Sequence, residues 1–409
     1  MTNAKGLAMI DLTLNRRSLL GSAAALAGLA AFPHAALAQG GPIRIGTLTP
    51  LTGAGGPYGP VMVKAVKAVV DEVNAAGGVL GRKVELISED GQTNPEAAVR
   101  AARKLIDVDK VCAIMGTWAS AVTTAVAPLC WESKTFLCTV SGADSITLLP
   151  HQGYLIRTQP NSKLQGTAHA EFIAGMGKKK VAVIGIQAPF ALSTKEHLDS
   201  VLKTKGAAVV AHVIYEKDKA TYRSEIDQAM RSGPDFLYLN GYAPDTVVVL
   251  RDLYKANINL PKFAQSYAVP QKTLDTIPPE VSAGLFTGQP SADIDGKAFK
   301  LLAARLGIPE PDSYEAQAND WASLVILTVA KAKEATGTAL KDNVRKISQG
   351  SGEKVYSAVE GLKLLAEGKE INYEGASGPC DFTDIGDIQG CRFRYMQVAD
   401  GKLKFLKVV

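Results

Sequence analysis

The stretch LTGAGGPYGP, residues 51–60, follows the short apolar run IRIGTLTP and precedes a helical pattern. A strand, a glycine-rich loop and a helix in that order can bind a phosphate, because glycine lets the backbone approach closely and a helix start aims amide N–H groups at an anion. A dinucleotide fingerprint needs glycines at its first, third and sixth positions. Gly53 and Gly55 meet the first two, Tyr58 holds the sixth, and no acid closes a second strand where a ribose would be held. GKAFK, at 296–300, lacks the glycine spacing of a P-loop. The loop therefore reads as a set of backbone donors facing a cleft, and a carboxylate suits it as well as a phosphate. Catalytic constellations are missing. Beyond residue 40 the histidines are His151, His169, His197 and His212, and neither HExxH nor GxSxG occurs. The carboxylates form no distinctive pair and read as solvated helix faces. The expectation is a binding protein rather than an enzyme, with no metal and no cofactor.

The elements that must position such a loop alternate in type. IRIGTLTP, KVELISED, VCAIMG and TFLCTV read as strands, and helical spacing fills the segments between them. The first helix has Pro57 at its start and Gly77-Gly78 as its stop, and the second has Asn94 as cap and Pro95 at its first position. Alternation of this kind predicts βαβ units and a parallel sheet covered on both faces. The pattern begins again after a break near Gln159-Pro160, with KKKVAVIGI, AAVVAHVIY and PDFLYLNGY as strands. Past Leu285 the chain turns mostly helical, and its last thirty residues carry an antiparallel hairpin pattern.

The N-terminus reads as an export signal. Arg16-Arg17 precede an apolar stretch from Leu19 to Phe32 that ends in Ala36-Leu37-Ala38, a small-x-small cleavage pattern. The paired arginines favour the twin-arginine route, with cleavage after Ala38. The stretch is shorter than the roughly 20 apolar residues that span a bilayer. Removing residues 1–38 takes away three basic residues and one acid, so the net charge falls from +5 to +3. That near-neutral balance argues against nucleic acid and gives no hint of a polyanionic partner. A soluble periplasmic protein follows. Oxidation is permitted there. Cys380 and Cys391 flank DFTDIGDIQG and are candidates for a local bridge, and Cys130 and Cys138 bracket WESKTFL and could also pair. Cys112, in the apolar run VCAIMG, reads as a buried small hydrophobe. The absence of any CxxC leaves zinc and thioredoxin-type redox chemistry unsupported.

The order of segments resembles, nearly end to end, the periplasmic solute-binding proteins of the branched-chain amino acid (Leu/Ile/Val-binding) family of ABC transporters. The residues that carry the resemblance are the opening from IRIGTLTPLTGAGG through NPEAAVRAARKLI, then DFLYLNGYAPD, then YEAQANDWASLVIL. The resemblance implies a two-lobed type I binding-protein fold, α/β, with a parallel sheet flanked by helices in each lobe and a three-stranded hinge between them. It implies one lobe from 42–159 plus 288–350 and another from 160–287 plus 351–409, in a monomer that delivers a small-molecule ligand to a membrane permease. A ligand-sensing module for a regulator is the alternative of another class.

Ligand contacts carry over position by position. Tyr58 matches the aromatic of the first loop. Ser120, in GTWAS, matches a hydroxyl at a helix start that takes the ligand carboxylate, and Ala143 and Ser145, in SGADS, match a backbone-and-hydroxyl pair at the same polar end. Phe190 falls where the second lobe offers a tyrosine, and Tyr242 matches a second-lobe aromatic. From the residues themselves, Tyr58, Trp118, Phe190 and Tyr242 can wall a small apolar cleft. The sequence departs from the family at one place: amino-acid binders hold the ammonium with an acid where KFAQSYAVPQ places Tyr267. A tyrosine accepts a hydrogen bond but neutralises no charge. The ligand is therefore a branched-chain or related amino acid held by another group such as Asp245, or an amine-free aromatic or aliphatic carboxylate or small amide.

Overall fold

The computed structural model describes residues Gly40–Val409, and the expected export signal lies outside them. β1 (Ile43–Thr49), α1 (Gly59–Ala75), β2 (Val84–Asp90), α2 (Pro95–Arg103), β3 (Ala113–Gly116), α3 (Ser120–Glu132), β4 (Phe136–Thr139) and β5 (Leu155–Arg157) build a five-stranded sheet of order β2-β1-β3-β4-β5. All its pairings are parallel. The short runs AIMG and FLCT are buried throughout, as strands covered on both faces must be. Asn94 caps α2 by accepting the Ala97 N–H, and Pro95 stands at its first position.

The second lobe repeats the plan with α4 (Ser162–Gly175), β6 (Lys180–Ile186), α5 (Pro189–Thr204), β7 (Ala208–Tyr215), α6 (Arg223–Met230), β8 (Phe236–Asn240), α7 (Ala243–Lys255), β9 (Lys262–Gln265), the single turn α8 (Gln271–Leu274) and β10 (Leu285–Ser291). The chain then returns to the first lobe as α9 (Lys297–Leu306), α10 (Ser313–Ala332) and α11 (Gly337–Ser348). A small sheet of β11 (Glu353–Val355), β12 (Ile371–Gly375) and β13 (Gly378–Pro379) follows, with α12 (Ala358–Ala366) between its first two strands. The hairpin β14 (Arg392–Ala399) and β15 (Lys402–Val408) completes a seven-stranded sheet of order β15-β14-β10-β9-β8-β6-β7.

Two expectations are corrected. The sequence reading gave everything after residue 350 to the second lobe, but only β14 and β15 join that sheet. Val355, Ala358, Ile371, Tyr373, Phe382 and Ile388 are buried in the same core as β1 and α10. Apolar burial decides the assignment, because α12 closes over α10 and leaves its own apolar face nowhere else to go. Nor do the cysteines pair: all five are free thiols. Between Cys380 and Cys391 the segment pairs with itself through the isolated Phe382–Ile388 bridge rather than a ladder. Cys130 and Cys138 fill the first core as small hydrophobes, as Cys112 does. Burial pushes the Cys112 and Cys130 thiols up to about 12, which keeps them protonated.

The chain passes between the lobes after β5, after β10 and before β14. A fully buried ion pair ties the first and third passages together. Arg157 Nε donates to Asp387 Oδ1 at 2.8 Å, and its other nitrogens donate to the carbonyls of Ser141 (3.0 Å) and Ala143 (2.6 Å) and to Thr147 Oγ1 (3.0 Å). Asp387 Oδ2 accepts from Thr147 Oγ1 at 3.2 Å and from Asn161 Nδ2 at 3.1 Å, while Asn161 Oδ1 caps α4 through the Leu164 N–H. From α10, Trp321 Nε1 donates to Thr158 Oγ1 at 2.8 Å and steadies the first passage.

Candidate functional site

The glycine-rich loop serves a different purpose from the one its sequence suggests. Its amides are already used within the protein: Asp90 Oδ1 accepts the N–H groups of Leu51 (2.9 Å) and Thr52 (3.2 Å), besides that of Gln92 (2.7 Å) in its own turn, and Thr93 Oγ1 accepts that of Gly55 (2.9 Å). Burial would raise the Asp90 carboxyl, but these hydrogen bonds and that from the Thr52 hydroxyl outweigh it and hold the group below the usual carboxylate range. The glycines are there for space. A Cβ on Gly55 would stand 2.7 Å from the Trp118 ring, and one on Gly53, whose φ is +78°, would stand 2.3 Å from the Gln92 carbonyl. The loop is folded back so that Trp118 can lie against it.

Trp118 is positioned by hydroxyl groups. Thr117 holds a left-handed φ of 59°, which is costly for a β-branched residue. Its carbonyl accepts from Thr123 Oγ1 (3.1 Å), Thr139 Oγ1 (2.8 Å) and Ser141 Oγ (2.6 Å), and the Trp118 carbonyl accepts from Ser141 Oγ at 3.0 Å. The strained turn is thus fixed by three side chains from α3, β4 and the loop after it. The indole projects from the first lobe into the second, with ring centroids 5.1 Å from Tyr242 and 5.6 Å from Tyr267. Phe190 completes that wall, 5.2 Å from Tyr242 and 6.0 Å from Tyr267.

Between these walls lies a small cavity of about 30 Å³. Its apolar lining is Trp118, Val140, Phe190, Tyr242, Tyr267 and Tyr314, and its polar lining is Ser120, Gly142, Gln159, Ser162, Gln165, Thr194 and Gln265. The lobes meet across it. Besides the aromatic contacts, Tyr58 Oη donates to the Tyr267 carbonyl at 3.0 Å, and Ser162 Oγ donates to the Gly142 carbonyl at 2.9 Å.

Among the described residues, no Asp, Glu, Lys, Arg or His side chain lines this cavity. Burial pushes the phenols of Tyr242, Tyr267 and Tyr314 well above their usual range, so these too stay neutral. What favours an anion is the backbone. α3, α5 and α7 start at the cavity, at Ser120, beside Phe190 and behind Tyr242, and none of the three carries a side-chain cap. Their first-turn N–H groups and the partial positive charge of a helix start favour a carboxylate.

The residues expected at the site divide into three groups. Trp118, Ser120, Phe190, Tyr242 and Tyr267 line the cavity. Tyr58 stands one layer behind, packed between Trp118 (5.7 Å) and Tyr314 (5.1 Å), and Ala143 is also one step removed, its N–H donating to Ser120 Oγ at 3.1 Å. Ser145 is not brought in: it is exposed on a one-turn helix at Asp144–Ile146 and does not line the cavity. Asp245, the fallback partner for an ammonium, is buried elsewhere and accepts from Tyr222 Oη at 2.5 Å and the Asp218 N–H at 2.9 Å. Sequence reasoning missed Tyr314 and the three glutamines. Tyr314 was visible as the aromatic opening YEAQANDW. Nothing in the local sequence marked Gln159, Gln165 and Gln265.

Comparison with known proteins agrees with this architecture. A family model described as periplasmic binding protein matches residues 42–401. A leucine-, isoleucine-, valine-, threonine- and alanine-binding protein of Pseudomonas aeruginosa is 24% identical over 382 residues, covering 92% of this chain and 94% of that protein. Among solved structures, a leucine-binding protein LivK from Thermotoga maritima superposes with a TM-score of 0.76 at 22% identity, covering 90% of this chain and 98% of that one. A solute-binding protein of an ABC transporter from R. palustris, in complex with 4-hydroxybenzoate, gives a TM-score of 0.73 at 19% identity, covering 90% and 96%.

Proposed function

This chain belongs to the periplasmic binding protein family, and from that premise we propose that it captures an amine-free aromatic carboxylate between its lobes and delivers it to the permease of an ABC importer. The observation that carries the ligand class is the cavity's lining, which holds aromatic faces, hydroxyls and amides but no carboxylate. A buried ammonium with no anionic partner costs several kcal/mol, so an α-amino acid has no place for its cation. A carboxylate finds the uncapped starts of α3, α5 and α7 together with Ser120. A planar ring finds Trp118, Tyr242 and Phe190.

The mechanism is capture by closure. The first lobe offers Ser120 and the start of α3 to the carboxylate, and the second lobe then covers the ring with Phe190, Tyr242 and Tyr267. Contacts from both lobes shift the equilibrium toward the closed form. The second reading, a branched-chain amino acid, is favoured by what the Pseudomonas relative is named for binding. The fold does not choose between them, since structures of the same fold hold leucine-type ligands and benzoates. A thermal-shift panel on the exported form decides. Benzoate and 4-hydroxybenzoate at 100 times their dissociation constants stabilise the fold by about 2.7 kcal/mol, and leucine, isoleucine and valine give no shift. A shift with the amino acids alone refutes the proposal.

A further inference from the structure

Outside the cavity, one side chain of the first lobe is held wholly by the second. Asp144 follows β4, and every hydrogen-bond partner of its carboxylate comes from across the cleft. Oδ1 accepts the Lys163 backbone N–H at 3.1 Å, from the start of α4. Oδ2 accepts from His197 Nε2 at 2.8 Å and from Ser193 Oγ, both on α5, and the Asp144 N–H in turn donates to Ser193 Oγ at 3.4 Å. Ser193 and His197 stand four residues apart and so share the face of α5 that meets Asp144. The Asp144 and His197 side chains are 24% and 29% exposed, so water weakens these bonds only in part. None of the three residues lines the cavity.

We propose that Asp144, Ser193 and His197 form an inter-lobe latch that sets how long the closed form holds its ligand. The inference rests on closure between the two lobes and not on which ligand is bound. Opening pulls α5 away from the loop after β4 and breaks the hydrogen bonds from Ser193 and His197, neither of which touches the ligand. The latch is made whenever the lobes are closed, with or without ligand, and it acts on release rather than on the encounter. A hydrogen bond to a charged group is the stronger kind, and this carboxylate receives two from α5 alone.

The test uses benzoate as the probe on Ser193→Ala, His197→Ala, His197→Gln, Asp144→Ala and the double variant Asp144→Ala/His197→Ala. Stopped-flow and calorimetric titration are expected to give roughly five- to twenty-fold faster release in Asp144→Ala and His197→Ala, from the loss of charge-assisted bonds at a partly exposed site. The association rate and a stoichiometry of about one ligand per chain stay unchanged. His197→Gln keeps a donor at similar reach and stays within about twofold of the parent, and the double variant releases no faster than Asp144→Ala, since both changes remove one interaction. Release at the parent rate in His197→Ala, or additive effects in the double variant, overturns the latch. If the parent takes no benzoate, the ligand proposal fails but the latch is still read by small-angle scattering of the unliganded proteins. A larger radius of gyration in the double variant than in the parent supports the latch, and equal radii overturn it.

Discussion

The cavity and the hinge are both buried and both polar, yet they handle charge in opposite ways. At the hinge a guanidinium is taken wholly and a carboxylate almost wholly out of water, and Arg157 and Asp387 are matched by Ser141, Ala143, Thr147 and Asn161. Among the described residues no charged side chain lines the cavity, and its polar lining is neutral hydroxyls and amides with helix starts beside them. Buried charge is tolerated where the chain itself supplies every partner. Where a ligand must supply the partner, the protein keeps itself neutral and lets the ligand bring the charge. The difference accounts for an unliganded cleft that closes without leaving an uncompensated ion inside.

The largest effect lies at the hinge. Asp387→Ala leaves Arg157 buried without its counter-ion and is expected to cost about 3–5 kcal/mol of stability, measured as a lower midpoint in denaturant. An unchanged midpoint would mean that the pair is not desolvated as described. Next comes the cavity. Trp118→Ala removes the ring that both lobes share and is expected to weaken aromatic carboxylate binding by about 2 kcal/mol or more; titration calorimetry reads it, on protein whose folding is checked separately because the ring is also packed in the first core. Tyr267→Asp then moves the cavity toward the hinge's chemistry by placing an acid where amino-acid binders have one. Benzoate binding is expected to fall about tenfold or more from carboxylate repulsion, while leucine gains measurable affinity. Failure of the variant to lose benzoate would detach Tyr267 from the cleft.

The smallest effect concerns Asp90. Its folded value lies below the unfolded one, so the stability it lends is fully present above the unfolded carboxylate range and is lost as pH falls through the folded value. Thermal midpoints compared between pH 7 and the acid range should show a shallower acid decline for Asp90→Asn than for the parent. Parallel curves would show that the loop is held by something else.

Much of this was legible in the sequence because it depended on local pattern. Strand and helix periods gave both sheets, Asn94 announced its cap, and the aromatic loop residues Trp118, Phe190 and Tyr242 fell beside strand ends, where parallel sheets bind ligands. What failed depended on distant partners. The glycine-rich loop looked like an anion cradle until Asp90, some 35 residues on, was seen to take its amides. Ser145 lies one turn past the cavity, and a single step along a tight turn reverses the direction of a side chain. The segment from Glu353 to Ile388 precedes a hairpin of the second lobe, and only the apolar face of α12 against α10 shows which lobe it belongs to. Gln159 and Gln165 flank the first passage between the lobes, and no local rule marks a glutamine there as facing a ligand.

The central claim is that the cleft has no partner for an ammonium, and a matched pair of ligands tests it most directly. 3-Phenylpropionate and phenylalanine share ring, chain and carboxylate and differ only in the amine. Calorimetric titration of the protein is expected to show binding of 3-phenylpropionate at least about a hundredfold tighter than that of phenylalanine, the order set by burying an unpaired charge. Equal affinity, or tighter binding of phenylalanine, would contradict the account and require an anion at the cleft that the closed arrangement does not contain.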